Sequence, residues 1–217
     1  MNTPKKTYHH GDLRNALLDA AEQLLEEKGL QGFTLRGCAR LANVSHAAPA
    51  HHFGDVKCLL TEVAQRGYER LVAELETQIS QVKGNLEDEM YATSLGYLAF
   101  AKRYPEHFRI MFRADLINMD ATPSVAARAT FTELTNVILR QRGDREMTLA
   151  EGLDFESQAL INDILMGWCH IHGFAHLYLE GQLMIVQEGT LESQMRECTR
   201  RLSQLIQSHI THQIAPK

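Results

Sequence analysis

Residues Thr34 to Lys57 read TLRGCARLANVSHAAPAHHFGDVK, and this stretch decides the fold. Thr34 is a good helix N-cap, and Leu35, Cys38, Ala39 and Ala42 follow at helical spacing. Asn43 stands where the chain must turn sharply, and asparagine tolerates the left-handed backbone such a turn needs. Ser45 reads as a second N-cap, opening a helix through His46, Ala47, Ala48, Pro49, Ala50, His51 and His52. Phe53 supplies an apolar plug, and Gly54-Asp55 end that helix and cap the next. Two short helices joined by a three- to four-residue turn have helix-turn-helix geometry, whose second helix enters the major groove of DNA.

Working outward, a first helix is expected from Asp12 to Lys28, with Leu13, Leu17, Ala20, Ala21, Leu24 and Leu25 along one side and Gly29 at its end. The small core of this head should hold Leu17, Ala21, Leu24, Phe33, Leu35, Ala39, Val44 and Phe53. A long fourth helix from Asp55 to about Lys83 would link head to body. Further helices are expected at about 87–103, 105–112, 122–142, 154–179 and 190–211, with Gly/Asp/Pro clusters at the joints. No segment alternates with period two, so the fold class is all-α. The segment 155–179 is apolar nearly all round and should be covered on most faces. In the last helix Leu191, Met195, Cys198, Leu202 and Leu205 form a coiled-coil-like seam.

The run Thr34-Leu35-Arg36, Ala39, Ala42, Val44-Ser45, His52-Phe53 and Leu59-Leu60 resembles the tetracycline-repressor (TetR) family of bacterial regulators. The match extends upstream through Ala20-Ala21, Leu24-Leu25 and Lys28-Gly29. Later, Trp168 to Gly173 (W-x-x-x-H-G) resembles a signature in the ligand domain of one branch of that family. The resemblance implies a DNA-binding head at 1–57 and a ligand-binding, dimerisation body at 58–217. It also implies a homodimer on a palindromic double-stranded DNA operator, released by a small-molecule effector, with repression the commoner outcome. No cofactor, resident metal or catalytic residue is expected.

Composition agrees with a protein that works in the cytoplasm and does not enter the membrane. No run approaches the ~18–20 apolar residues of a membrane span, and MNTPKKTYHHGDLRN lacks the apolar core of a signal peptide. Cys38, Cys58, Cys169 and Cys198 form no C-x-x-C pair and read as reduced core thiols. Residues 1–57 hold seven Lys/Arg against six Asp/Glu, whereas the other 160 hold fifteen against twenty-one. Five of the eleven histidines also lie in that first quarter, so a slightly basic, His-rich head sits on an acidic body.

Within the reading helix, Ala47 and Ala48 permit close approach to the groove and could meet thymine methyls. His46 is the polar side chain best placed for a base edge, and Arg36 could reach base or backbone. Ser45, His51, His52 and Lys57 suit phosphates, and Pro49 costs little in a first turn. Ala50 and Val56 depart from the family pattern, which implies an aromatic residue at the first position and often Lys at the second. The arm Lys5, Lys6, Tyr8, His9 and His10 could add backbone or minor-groove contacts.

In the body, Phe100, Tyr104, Phe108, Met111, Phe112, Phe131, Met166, Trp168 and His172 are candidates to line a cavity for a small apolar effector. Arg109, Arg113, Asp115, Asn162 and Asp163 could orient a ligand there. His172 and His176 stand at i, i+4 with His170 nearby, which keeps a metal-responsive regulator as an alternative. Neither G-x-S-x-G nor a phosphate-binding glycine loop occurs, so a helical small-molecule-binding protein or enzyme is the weaker alternative.

Overall fold

The computed structural model describes residues 10–82, 84–118, 125–150, 157–183 and 189–214. Among these the chain forms nine α-helices, one short 3-10 turn and no strand, in agreement with the all-α expectation. They are α1 (His10–Lys28), α2 (Leu35–Leu41), α3 (Ala48–Phe53), α4 (Val56–Ile79), α5 (Leu86–Arg103), α6 (Pro105–Met111), α7 (Val125–Arg142), α8 (Gln158–Leu179) and α9 (Leu191–Ile214). The expected arm at residues 5–9 and the joint at 120–123 lie outside the described residues, as do the expected starts of two helices at 122 and 154.

The helices sort into two compact units, the first being Met1–Gly67 with Glu106–Thr122 and the second Tyr68–Pro105 with Pro123–Lys217. The first unit buries Leu17, Leu18, Ala21, Leu24 and Leu25 of α1 with Cys38, Ala39, Phe53, Leu59, Leu60 and Val63. Phe33, Leu35 and Val44, expected in this core, are only half-buried. Residues of α6 join it: His107, Phe108, Ile110 and Met111 are buried. His107 Nε2 lies 3.3 Å from Glu22 Oε1, and Arg66 bonds Asp19 at 2.7 Å. Residues 113–118 are tied to α4, since Asn118 N–H donates to Thr61 Oγ1 at 2.9 Å.

In the second unit α5 is the central element, packing against α7, α8 and α9. Its buried residues run round the whole helix, from Met90, Thr93 and Ser94 to Gly96, Tyr97, Phe100 and Ala101. Gly96 allows a close approach to α4: a Cβ there would lie 2.9 Å from the Glu74 carbonyl oxygen and 3.1 Å from Leu75 Cα. Both are backbone atoms with no room to give. The sequence pattern expects the segment 155–179 to be covered on most faces, and within one chain it is covered only in part. Within α8 the buried residues are Asp163, Ile164, Ile171 and Ala175, whereas Leu165 (47% exposed) and Leu177 (39%) face outward and Trp168 is partly exposed. The apolar surface is as extensive as expected, but one chain covers only part of it. The expectation of four core thiols fails for the same reason: Cys38 is buried, but Cys169 and Cys198 are exposed.

Candidate functional site

The geometry of the helix-turn-helix follows from local capping. Thr34 Oγ1 accepts the Gly37 N–H at 3.0 Å, which starts α2 at Leu35. Gly37 is a packing residue as well as a helix breaker, since a Cβ there would come 2.7 Å from Leu24 Cδ2 of α1. Asn43 takes φ 54°, the left-handed turn conformation, and Val44 N–H then reaches Ala39 O at 3.0 Å. At the far end Gly54 takes φ 82°, and Asp55 Oδ1 accepts the Cys58 N–H at 2.7 Å to cap α4. That bond holds the Asp55 carboxyl below its usual range.

The second helix does not open at Ser45. It begins at Ala48, with Ala47 as a cap whose side chain makes no hydrogen bond. An N-cap at Ser45 would put Pro49 at the first position whose N–H must bond back to the cap carbonyl, and proline has none. A turn closed by Ala48 N–H to Ser45 O at 3.0 Å intervenes, and the first helical bond is His51 N–H to Ala47 O at 3.0 Å. Ser45, His46 and Ala47 therefore sit in the turn and are exposed, together with Arg36 and His51. Ala48, His52 and Lys57 are half-buried, and Pro49 is buried, so Pro49 acts through packing. The His51 and His52 rings meet edge-on at 5.4 Å, and Arg14 lies 5.0 Å over the Phe53 ring. Arg40, in the last turn of α2, is a further exposed cation that periodicity alone does not single out.

The candidate effector residues divide between the units. Phe108, Met111 and Phe112 belong to the first, where the Phe108 and Phe112 rings stand 5.5 Å apart. Phe100 and Tyr104 belong to the second, and the Tyr104 ring carries the Arg70 and Arg103 guanidinium groups at 4.9 and 5.4 Å. Phe131 and Trp168, 6.2 Å apart and perpendicular, line a crevice among α5, α7 and α8. Met166 packs against the adjoining cluster of Met90, Val137, Ile138, Ile164 and Ile206. The crevice is also lined by Thr93, Ser94, Thr135 and His170, which the sequence pattern does not select for it. The polar residues expected to orient a ligand are engaged otherwise: Arg109 with Glu106, Arg113 with Asp115, Asn162 with Gln158, and Asp163 with Arg142.

Trp168 and His172 share one partner. The indole N–H bonds the Tyr97 oxygen, and the Tyr97 hydroxyl lies 2.9 Å from His172 Nδ1. One helical turn separates the two grips, so the i, i+4 spacing of Trp and His fits a single buried tyrosine. Burial pushes the Tyr97 hydroxyl well above its ordinary range. Thr199 Oγ1 donates to Ser94 Oγ at 3.2 Å, so the His170 Nε2 that lies 3.3 Å from Thr199 carries the proton. His172 and His176 are stacked at 6.4 Å, and among the described residues no three His, Cys, Asp or Glu side chains are grouped to hold a metal ion.

Burial lowers the pKa of both His170 and His172, and the neighbouring His176 adds to the effect on His172. The unfolded chain therefore binds protons more readily than the folded one once pH drops below the ordinary imidazole range. The stability these neutral rings contribute is fully present above that range and is lost as pH falls through it. Thermal unfolding should shift downward between pH 7.5 and 5.5, and the shift should shrink in His170→Asn/His172→Gln. An equal shift in that variant would assign the acid sensitivity to other groups.

The sequence profile described as "Bacterial regulatory proteins, tetR family" matches residues 17–63, and "Tetracyclin repressor-like, C-terminal domain" matches residues 90–201, just over half of the chain. The chain belongs to the TetR family. It is therefore a helix-turn-helix, DNA-binding transcriptional regulator. Its relatives include the uncharacterised HTH-type transcriptional regulator YobS of Bacillus subtilis, 20% identical over 72% of this chain and 94% of that protein. Among solved structures, a Rhodococcus sp. RHA1 protein of unknown function is 26% identical, with a TM-score of 0.67 over 94% of this chain and 98% of that one. A single-substitution variant of TetR from Acinetobacter baumannii AYE, solved in complex with minocycline, shares the fold at 14% identity, with a TM-score of 0.58 over 97% and 100%. No helix among the described residues of this TetR-family chain is long and apolar enough to cross a membrane.

Proposed function

We propose that this chain is a dimeric operator reader, a repressor in the cytoplasm, whose hold on DNA is released by a small, mainly apolar effector bound in its body. The functional division falls at residue 57, with reading in 1–57 and sensing and pairing in 58–217. The observation that carries the reading half is the turn at Asn43. It presents Arg36, Ser45, His46, Ala47 and His51 as exposed residues around the start of α3, with Ala48, His52 and Lys57 at their margin. Buried Pro49 sets the backbone that presents them. Arg36 and His46 are assigned to base edges, and Ser45, His51, His52 and Lys57 to phosphates. No catalytic role is assigned to any residue.

Pairing is supported by the uncovered stripe Leu165, Cys169, Gly173 and Leu177 on α8, with Leu205 and Cys198 exposed on α9. Gly173 lies in that stripe, and a Cβ on it would meet no other described side chain or segment within 4 Å. Glycine inside a helix costs about 1 kcal/mol relative to alanine, and a close second helix would explain it. The α5–α7–α8 crevice supports a small-molecule site, as does the fold shared with a TetR variant solved with minocycline.

Selection of bound fragments from a random duplex library at two salt concentrations tests the whole reading. Enrichment of a palindrome that weakens steeply with salt is expected. A lack of enrichment at low salt would remove it.

A further inference from the structure

Among the described residues, the lining of the α5–α7–α8 crevice carries no charge. Its thirteen described lining residues are apolar or neutral: Phe131, Ile138, Ile164 and Trp168 dominate it, and the polar members are Thr93, Ser94, Thr135 and His170. An ionised ligand would enter at the full cost of desolvation with no counter-ion to meet it. The crevice is a narrow slot between three helices, so it admits a compact molecule only.

Thr135 is the exception among its polar groups. Thr93 Oγ1 donates to Glu89 O at 2.9 Å and Thr130 Oγ1 to Ala126 O at 3.0 Å, the usual bond of a helical threonine to the carbonyl four residues back. Ser94 likewise donates to Met90 O at 3.0 Å. Thr135 is 1% exposed, yet its hydroxyl has no hydrogen-bond partner among the described residues. A buried hydroxyl left unpaired costs roughly 1–3 kcal/mol, which a ligand oxygen would recover.

We infer that the effector is an uncharged, compact, mainly apolar molecule with one hydroxyl or carbonyl oxygen, which the Thr135 hydroxyl anchors while its apolar body lies against Phe131 and Trp168. This deepens the effector reading above and rests on it.

Trp168 is the sole tryptophan of the chain and lines the crevice, so its fluorescence reports occupancy. The probes are one ring with different heads: cyclohexanone, cyclohexanol, methylcyclohexane, cyclohexanecarboxylate and cyclohexylammonium. The ketone and alcohol should shift the emission saturably, at least tenfold more tightly than either charged probe. Thr135→Val should weaken ketone and alcohol about three- to tenfold, leave methylcyclohexane unchanged and raise the melting temperature, because it replaces an unpaired hydroxyl with a methyl group. Thr135→Ser, which keeps the hydroxyl, should retain the preference. The inference is overturned by a carboxylate that binds as tightly as the alcohol, by unchanged ketone binding in Thr135→Val, or by no saturable shift with the neutral probes. Release of operator DNA is measured with the same series. Thr135-dependent binding that leaves the operator occupied would sink the effector reading while the crevice chemistry stands.

Discussion

Leu165→Glu should convert the regulator from two chains to one and raise its Kd for the palindromic operator by about 10²–10⁴-fold. Leu165 is 47% exposed on α8, in the stripe assigned to pairing, and makes no part of the buried core of its own unit. A glutamate there has solvent around it in the single chain, so the fold should survive with little loss. In the dimer it would stand in an apolar seam, where an unpaired carboxylate is costly. The two reading heads must sit about one DNA turn apart, roughly 34–36 Å, and only a linked pair gains from the second half-site. Sedimentation gives the mass and a half-site duplex gives the control: affinity for the half-site should be unchanged. A variant that remains a dimer would move the interface elsewhere on the chain.

Asp163→Ala should destabilise the second unit by about 3–5 kcal/mol in chemical denaturation. Asp163 is 2% exposed in the first turns of α8 and pairs with Arg142 at the end of α7, whose side chain is only 10% exposed. Arg142 keeps one other carboxylate, Asp144 at 2.6 Å, but Asp144 is largely open to water. Removing Asp163 therefore leaves a guanidinium group enclosed with half its partner set gone. The same reasoning predicts that Arg142→Met/Asp163→Leu recovers most of the loss, since replacing both partners removes the stranded charge. A single substitution costing less than about 1 kcal/mol would show that the pair is as weak as an ordinary surface bridge.

The parts of the fold that short-range rules govern are legible in the chain. Thr34, Asn43, Gly54 and Asp55 each do what their backbone chemistry predicts, because a cap or a left-handed turn involves only neighbours in sequence. Helix α3 starts later than the cap preference of Ser45 suggests, because that preference takes no account of the missing N–H of Pro49. Burial is less legible. Hydropathy marks α8 as apolar but does not say whether its surface meets its own chain, and α5, with more polar residues, is the enclosed helix. The crevice combines two expected residues, Phe131 and Trp168, with the hydroxyl residues Thr93, Ser94 and Thr135. These carry no pattern of their own, and their place depends on how three helices meet.

The segment Glu106–Thr122 completes a unit that begins at residue 1, with residues 68–105 belonging to the other unit in between. During synthesis the DNA-reading head therefore lacks the buried side chains of His107, Phe108, Ile110 and Met111 until that later segment has left the ribosome. At roughly 5–20 residues per second this is a delay of several seconds after Gly67 emerges. A nascent chain stopped anywhere in between carries a recognition sequence without its finished core. The core of the reading unit is thus complete only once the first half of the chain has been made.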